Sequence, residues 1–134
     1  MKLDELIEEP GELDPADKLE WLVEFAAELP ELTGDRRLQP LPDSCRVQEC
    51  QTPVYLWVEQ NDGLVHLEAD VPRSSPVVRG LVTLLVLGLE GVPVEVAQSL
   101  PDDLLGQLGL TAALGMTRQQ GFRGMMARLK RSLS

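Results

Sequence analysis

PVYLWVEQ (53–60), Asn61-Asp62-Gly63 and LVHLEAD (64–70) follow one another without a break, and their reading decides the fold. The first run is rich in β-branched and aromatic residues, the middle supplies turn chemistry, and the last alternates in character. Together they predict a β-hairpin. In the second strand Val65, Leu67 and Ala69 share one face, while Leu64, His66 and Glu68 share the other. The hairpin therefore has an apolar side to bury and a polar side that holds His66. The chain's one histidine has no histidine partner for metal binding or catalysis, and reads as a solvated strand residue.

Helices are predicted on both sides of this hairpin, so the fold class is α+β, a small antiparallel sheet packed against several α-helices. Downstream, Val77, Val78, Leu81, Val82, Leu84, Leu85, Val86 and Leu89 cover most of a helix's circumference, which predicts a central buried helix closed by Gly91. Pro93 and Pro101 suit the first turns of two short helices, and Gly109 ends the second. Thr117 can cap a final helix whose Phe122, Met125, Met126, Leu129 and Leu133 recur at helical spacing. The adjacent methionines read as core filling. Upstream, Leu3, Leu6 and Ile7 make a short amphipathic turn ended by Pro10-Gly11. Asp14 offers an N-cap oxygen, Pro15 takes the first helical position, and Leu19, Trp21, Leu22, Val23, Phe25 and Ala26 form an apolar face before Pro30. Residues 30–46 hold three prolines and no periodicity, and read as loop.

A chain of 134 residues is expected to be a single domain over 1–134 that buries about two thirds of its surface without staples. With 22 acids against 12 bases, its net charge is −10. An acidic chain does not release counterions from nucleic acid or meet anionic headgroups, so neither partner is expected. Residues 1–35 hold 12 acids and 2 bases, whereas residues 118–134 hold 5 bases and no acid. This asymmetry serves helix dipoles or a docking face. The start has no apolar stretch of signal-peptide type. The strongly apolar run 80–89, free of charge and proline, is half of what a membrane helix needs. A cytoplasmic protein is expected.

Chemistry must sit with the two cysteines, in SCRVQECQTP (44–53). A zinc site needs three or four ligands, and beyond carboxylates the chain offers at most Cys45, Cys50 and His66, with no second histidine and no C-x-x-C pair, so no metal is expected. The C-x-x-C redox spacing is absent, and one histidine gives weak support to a hydrolase. Glu8-Glu9 and Asp102-Asp103 are adjacent rather than facing, and read as solvated helix starts. A regulatory disulfide across the loop stays open.

The run RVQECQTPVYLWV (46–58) resembles the active loop of the SufE family, sulfur acceptors of iron-sulfur cluster assembly. Val47, Cys50, Gln51 and Val54 match its pattern, and Thr52 and Tyr55 are conservative replacements. KLEWLVEFAAELPEL (18–32), the hairpin's end at Ala69-Asp70, VVRGL (77–81) and TRQQGFRGM (117–125) are similar to further family segments, in the same order. The resemblance implies a SufE/IscU-like fold and a sulfur-transfer accessory protein more than an independent enzyme. A SufS-type cysteine desulfurase would hold sulfur as a persulfide. Cys50 would take it, with the loop swinging out on docking, stimulate the desulfurase and pass the sulfur to an iron-sulfur scaffold. Pyridoxal phosphate would belong to the desulfurase, this chain would bind no cofactor, and a monomer is the family habit. The supporting loop is Arg46, Val47, Gln48, Glu49 and Gln51. Arg46 is a candidate cation beside the thiol, and Val47 and Val54 are candidates for an apolar pocket around it.

Three departures from the family pattern matter. Glu49 stands where the family has glycine, so either the loop needs no positive φ or it stores strain, and its charge should raise the Cys50 pKa. Cys45 replaces a usual asparagine, and is either an incidental thiol or a second thiol for a Cys45-Cys50 disulfide switch in a redox-regulated adaptor. The linker DVPRSSPV (70–77) is longer than usual and contains Pro72 and Pro76. Arg118, from the S-R-x-x-G motif, suggests a polar contact near the loop or a bond to a carbonyl or Asp70. Gly121 in that motif suggests close helix packing.

Overall fold

Asp62 and Gly63 adopt positive φ values of 54° and 78°, the twist that lets a two-residue turn match its flanking strands. In the computed structural model, which describes Glu5 and residues 14–101, 104–108 and 111–133, this turn joins β1 (Tyr55–Asn61) to β2 (Leu64–Asp70). The strands pair antiparallel, from Tyr55 opposite Asp70 to Asn61 opposite Leu64. Val65, Leu67 and Ala69 are buried with Leu56, so the expected apolar face is the core face.

The helices are α1 (Pro15–Phe25), α2 (Pro76–Leu89), α3 (Val94–Gln98), α4 (Leu104–Leu108) and α5 (Thr111–Leu133). The architecture is α+β, as the sequence predicts. The long α2 lies on β2 and against α1, while α5 lies on β1. Nine of the α2 side chains and glycines from Gly80 to Leu89 are buried, because this helix is wrapped on more than one side. Gly80 lets α1 come close, since a Cβ there would collide with the Leu22 carbonyl. From α5, Phe122, Met125, Met126, Leu129 and Leu133 complete the core, so the methionines do fill it. Arg79 ties three elements together. It donates to the Ala26 carbonyl at 3.1 Å and to the Val71 carbonyl at 2.6 Å.

Neighbouring backbone pairs with the hairpin at two places, the turn end of β2 and the start of β1, which shortens the edge open to stray pairing. Beyond β2, the Val65 N–H donates to Val92 O at 2.8 Å and the Val94 N–H to Gly63 O at 2.9 Å. Beyond β1, Arg46 bridges to Tyr55. The backbone just before the cysteine loop is thus stitched to the sheet.

Some expectations are corrected. Asp14 makes no side-chain cap; its carbonyl accepts the Lys18 N–H at 2.9 Å. The span Thr111–Leu133 is two helical pieces joined across a non-helical Gly115 (φ 78°, ψ 165°), so the piece that carries Phe122 to Leu133 does start close to Thr117, though with no side-chain cap from Thr117 among the described residues. The first helix gives way to a 3-10 turn over Ala26–Glu28, and Leu29 is extended ahead of Pro30, as a residue before proline prefers. The loop 30–46 contains two more such turns, Gly34–Arg37 and Asp43–Cys45. The turn at Leu3, Leu6 and Ile7, the Pro10-Gly11 stop, Gly109, Glu8-Glu9 and Asp102-Asp103 lie outside the described residues. Among the described residues, no helix is long and apolar enough to cross a membrane.

Candidate functional site

The loop that carries Cys50 is pinched at its base. The Val47 N–H donates to Val54 O at 2.8 Å, and both side chains are fully buried. Inside the pinch, the Cys50 N–H donates to Val47 O at 3.2 Å and the Val54 N–H to Thr52 O at 2.8 Å. Apolar anchors at both ends hold the loop while Gln48, Glu49 and Gln51 stay exposed. Cys50 turns inward, with 9% of its surface accessible. Val47, Cys50 and Val54 belong to one buried apolar cluster.

The floor under the thiol is one face of α5. Gly121, Gly124 and Arg128 recur at i, i+3 and i+7, which places them in a single row. Cys50 Sγ lies 3.5 Å from the Gly121 carbonyl oxygen. A Cβ at Gly121 would stand 3.1 Å from that sulfur, so this glycine makes room for the cysteine loop rather than for another helix. At Gly124 a Cβ would collide with Cβ and Cγ of Glu49. Arg128 completes the row by donating to Arg46 O at 2.7 Å and to Ser44 O.

Burial pushes the Cys50 thiol up to about 11, with the Glu49 carboxylate adding to the effect. Arg46 does not offset it; its recorded role is backbone pairing with Tyr55 and the carbonyl that Arg128 holds. At pH 7 only about one such thiol in ten thousand is ionised, against a few per cent for a free thiol near 8.5. The seated thiol is therefore a protected, neutral group. Glu49 does not have positive φ, so the replacement of glycine costs the loop no left-handed strain. Both cysteines are free thiols, Cys45 half-buried and Cys50 buried.

A cleft of about 460 Å³ opens beside Cys50. Its walls include Gln51 and Thr52 from the loop, Ser75 and Pro76 from the start of α2, and Met116 and Arg118 from α5. The long linker thus forms part of this wall. Arg118 is exposed on the rim and forms no hydrogen bond or ion pair among the described residues. Asp70 is elsewhere: it ends β2 opposite Tyr55 and acts on Arg79. Sequence reasoning missed Gly124 and Arg128, although their helical spacing from Gly121 is the signal that places them on one face.

On the polar side of the hairpin, His66 is not simply solvated. Its Nδ1 is 2.8 Å from a Glu90 carboxylate oxygen and its Nε2 is 3.1 Å from a Glu68 oxygen. Burial alone would lower the imidazole pKa, but the bonds to Glu68 and Glu90 raise it on balance. Glu59, His66 and Glu68 bring one ligand atom each within 4.8 Å of one another. The cation in their midst is the Arg36 guanidinium, which pairs with both carboxylates.

The family pattern described as an Fe-S metabolism associated domain, SufE, matches residues 4–133. The chain belongs to the SufE family. An uncharacterised SufE-like protein of Mycobacterium tuberculosis is 35% identical, over 98% of this chain and 90% of its own length. The cysteine desulfuration protein SufE of Plasmodium vivax is 27% identical, over 71% of this chain and 40% of its own. In structure, the chain is similar to a hypothetical protein of Thermus thermophilus solved in solution, with a TM-score of 0.81 and 29% identity, covering 98% of this chain and 93% of that one. The family ties this SufE chain to iron-sulfur metabolism.

Proposed function

We propose that this SufE protein accepts sulfur on Cys50 from a cysteine desulfurase, stimulates that enzyme and passes the sulfur on for iron-sulfur cluster assembly. The observation that carries this reading is Cys50 itself, a free thiol seated on α5 with its ionisation suppressed in the loop that matches the family's active segment. A thiol kept neutral and covered is suited to carrying reactive sulfur past stray thiols, and must leave its seat to receive it.

In the receiving step, the Cys50 thiolate attacks the outer sulfur of the desulfurase persulfide. A new S–S bond forms on Cys50, the S–S bond on the desulfurase breaks, and the desulfurase thiolate leaves. No outside oxidant or reductant is consumed. Pyridoxal phosphate, which releases sulfur from free cysteine, is the desulfurase's cofactor; this chain brings none. It acts as a cytoplasmic accessory protein and a monomer. Arg118, free on the rim of the cleft, is a candidate contact for the docked partner.

Incubation with a desulfurase and cysteine should add one sulfur to the intact mass of the protein. Cys50→Ser should abolish the gain and Cys45→Ser should keep it. Loss with Cys45→Ser alone would overturn the assignment. Normal desulfurase binding with no mass gain in the wild type would instead favour a redox-regulated adaptor that works through a Cys45-Cys50 disulfide.

A further inference from the structure

The row of α5 that lies under the loop does two separate jobs. Gly121 and Gly124 are a seat: they remove side chains where Cys50 and Glu49 rest. Arg128 is a fastener. Its two donors reach back across more than eighty residues of sequence to the carbonyls of Ser44 and Arg46, immediately before the pinch at Val47 and Val54. A planar guanidinium can hold two carbonyls at once in a way an ammonium cannot. These bonds are made to backbone, so they fix where the loop's base lies whatever side chains the loop carries. In the seated state, Cys50 is screened from solvent and bonded toward Gly121.

We propose that Arg128 is a positioning residue for sulfur acceptance: it latches the base of the Cys50 loop to α5, and the packing of Glu49 over Gly124 is the second point of the same latch. The inference rests on the sulfur-acceptor reading above. Arg128 never touches the reacting sulfur. It acts by setting the fraction of time that Cys50 spends off its seat, and so the fraction of thiol able to ionise and react. The latch keeps the loop closed between partners, and a docked desulfurase has to overcome it.

The test uses the full chain carrying Cys45→Ser, so that Cys50 is its one thiol, with iodoacetamide as probe and intact mass as readout. If reaction proceeds through the unseated loop, each tenfold gain in the open population raises the rate at neutral pH tenfold and lowers the midpoint of the rate against pH by about one unit. Removing two bonds from a charged donor gives an expected gain of roughly tenfold or more for Arg128→Met. Arg128→Lys, with a single donor centre, should recover part of the protection. Gly124→Ala, which displaces Glu49, should raise the rate several-fold without touching Arg128. Leu133→Ala, in the core at the far end of α5, lowers global stability and should leave the midpoint in place.

A rate and midpoint for Arg128→Met within twofold of the parent would overturn the latch, as would an equal gain from Leu133→Ala. If Arg128→Met does not fold, the Arg128→Lys and Gly124→Ala profiles decide the matter in the same way. Alkylation needs no desulfurase. An unlatched Cys50 that gains no sulfur would therefore sink the acceptor reading and leave the latch standing, whereas unchanged alkylation beside normal sulfur gain would do the reverse.

Discussion

Cys50 and Glu68 are buried to nearly the same degree, 9% and 7% exposed, and both can ionise, yet the protein treats them in opposite ways. Burial pushes each toward its neutral form. Around Glu68 that push is outweighed: the Thr33 N–H donates at 2.8 Å, His66 and the Thr33 hydroxyl bond to it, and Arg36 pairs with it, so its pKa falls. Around Cys50 nothing opposes burial, and Glu49 adds to it. A charge that serves the fold is satisfied on every side, because an unpaired buried charge is costly. The Cys50 thiol has only the Gly121 carbonyl as a partner, which costs little while the thiol stays protonated. Arginines mark the same contrast: Arg36 holds the structural carboxylates, whereas Arg128 holds backbone beside the loop and leaves the sulfur alone.

This comparison can be broken most sharply by exchanging the two roles. Cys50→Ser should lose all sulfur gain measured by mass, while changing stability in urea by only about 1 kcal/mol, since it replaces one small buried donor with another. Glu68→Ala should do the opposite. It takes one partner from Arg36 and His66, which keep Glu59 and Glu90, and leaves the Thr33 N–H and hydroxyl unpaired, so urea unfolding should show a loss of about 2–3 kcal/mol, while the folded protein still accepts sulfur at a near-normal rate. A normal urea midpoint for Glu68→Ala would show that the polar cluster is not the anchor described.

A smaller effect comes from the seat. Gly121→Ala places a carbon 3.1 Å from Cys50 Sγ, so the loop must give by a fraction of an ångström. The expected cost is about 1 kcal/mol, with a several-fold faster alkylation of Cys50. Slower alkylation would mean that the added methyl group seals the thiol instead.

The smallest effect is a pH dependence, and its sign separates the groups. The folded His66 pKa is raised above the ordinary imidazole value of 6.5, so the protonated ring stabilises the fold. That contribution is complete below about 6.5 and is lost as pH rises through the folded value. Glu68, lowered from the ordinary carboxylate value of 4.5, contributes above that pH and loses its contribution as pH falls through the folded value. Cys50, raised from 9.0 to about 11, contributes below about 9 and loses it as pH rises toward about 11. Urea midpoints should therefore decline from pH 6 to 8, and His66→Gln should flatten that slope. An unchanged slope would remove His66 from the account.

Local chemistry accounts for what could be read without a structure. The hairpin register follows from side-chain alternation over 64–70, because a one-residue slip would carry Val65, Leu67 and Ala69 into solvent. The buried α2 follows from an apolar run too dense for one face, and Cys50 stands out through the family pattern around it. The polar cluster was not legible in this way. Glu68 and His66 look like solvated strand positions until the loop at 33–37 folds over them, and that loop has no periodicity from which its path could be deduced. Helix caps failed for a similar reason, since a capping residue type at Asp14 or Thr117 does not compel the capping geometry.

What the sequence determined by itself is the class of fold and the place of the hairpin, which depend on near neighbours and period; the candidate thiol came from the resemblance of its loop to a family pattern. Tertiary structure alone decided the state of that thiol. The carbonyl under the sulfur, the glycine seat and the grip of Arg128 come from α5, some seventy to eighty residues away. A side chain's pKa and exposure depend on what surrounds it in space, and that is set only when distant segments pack.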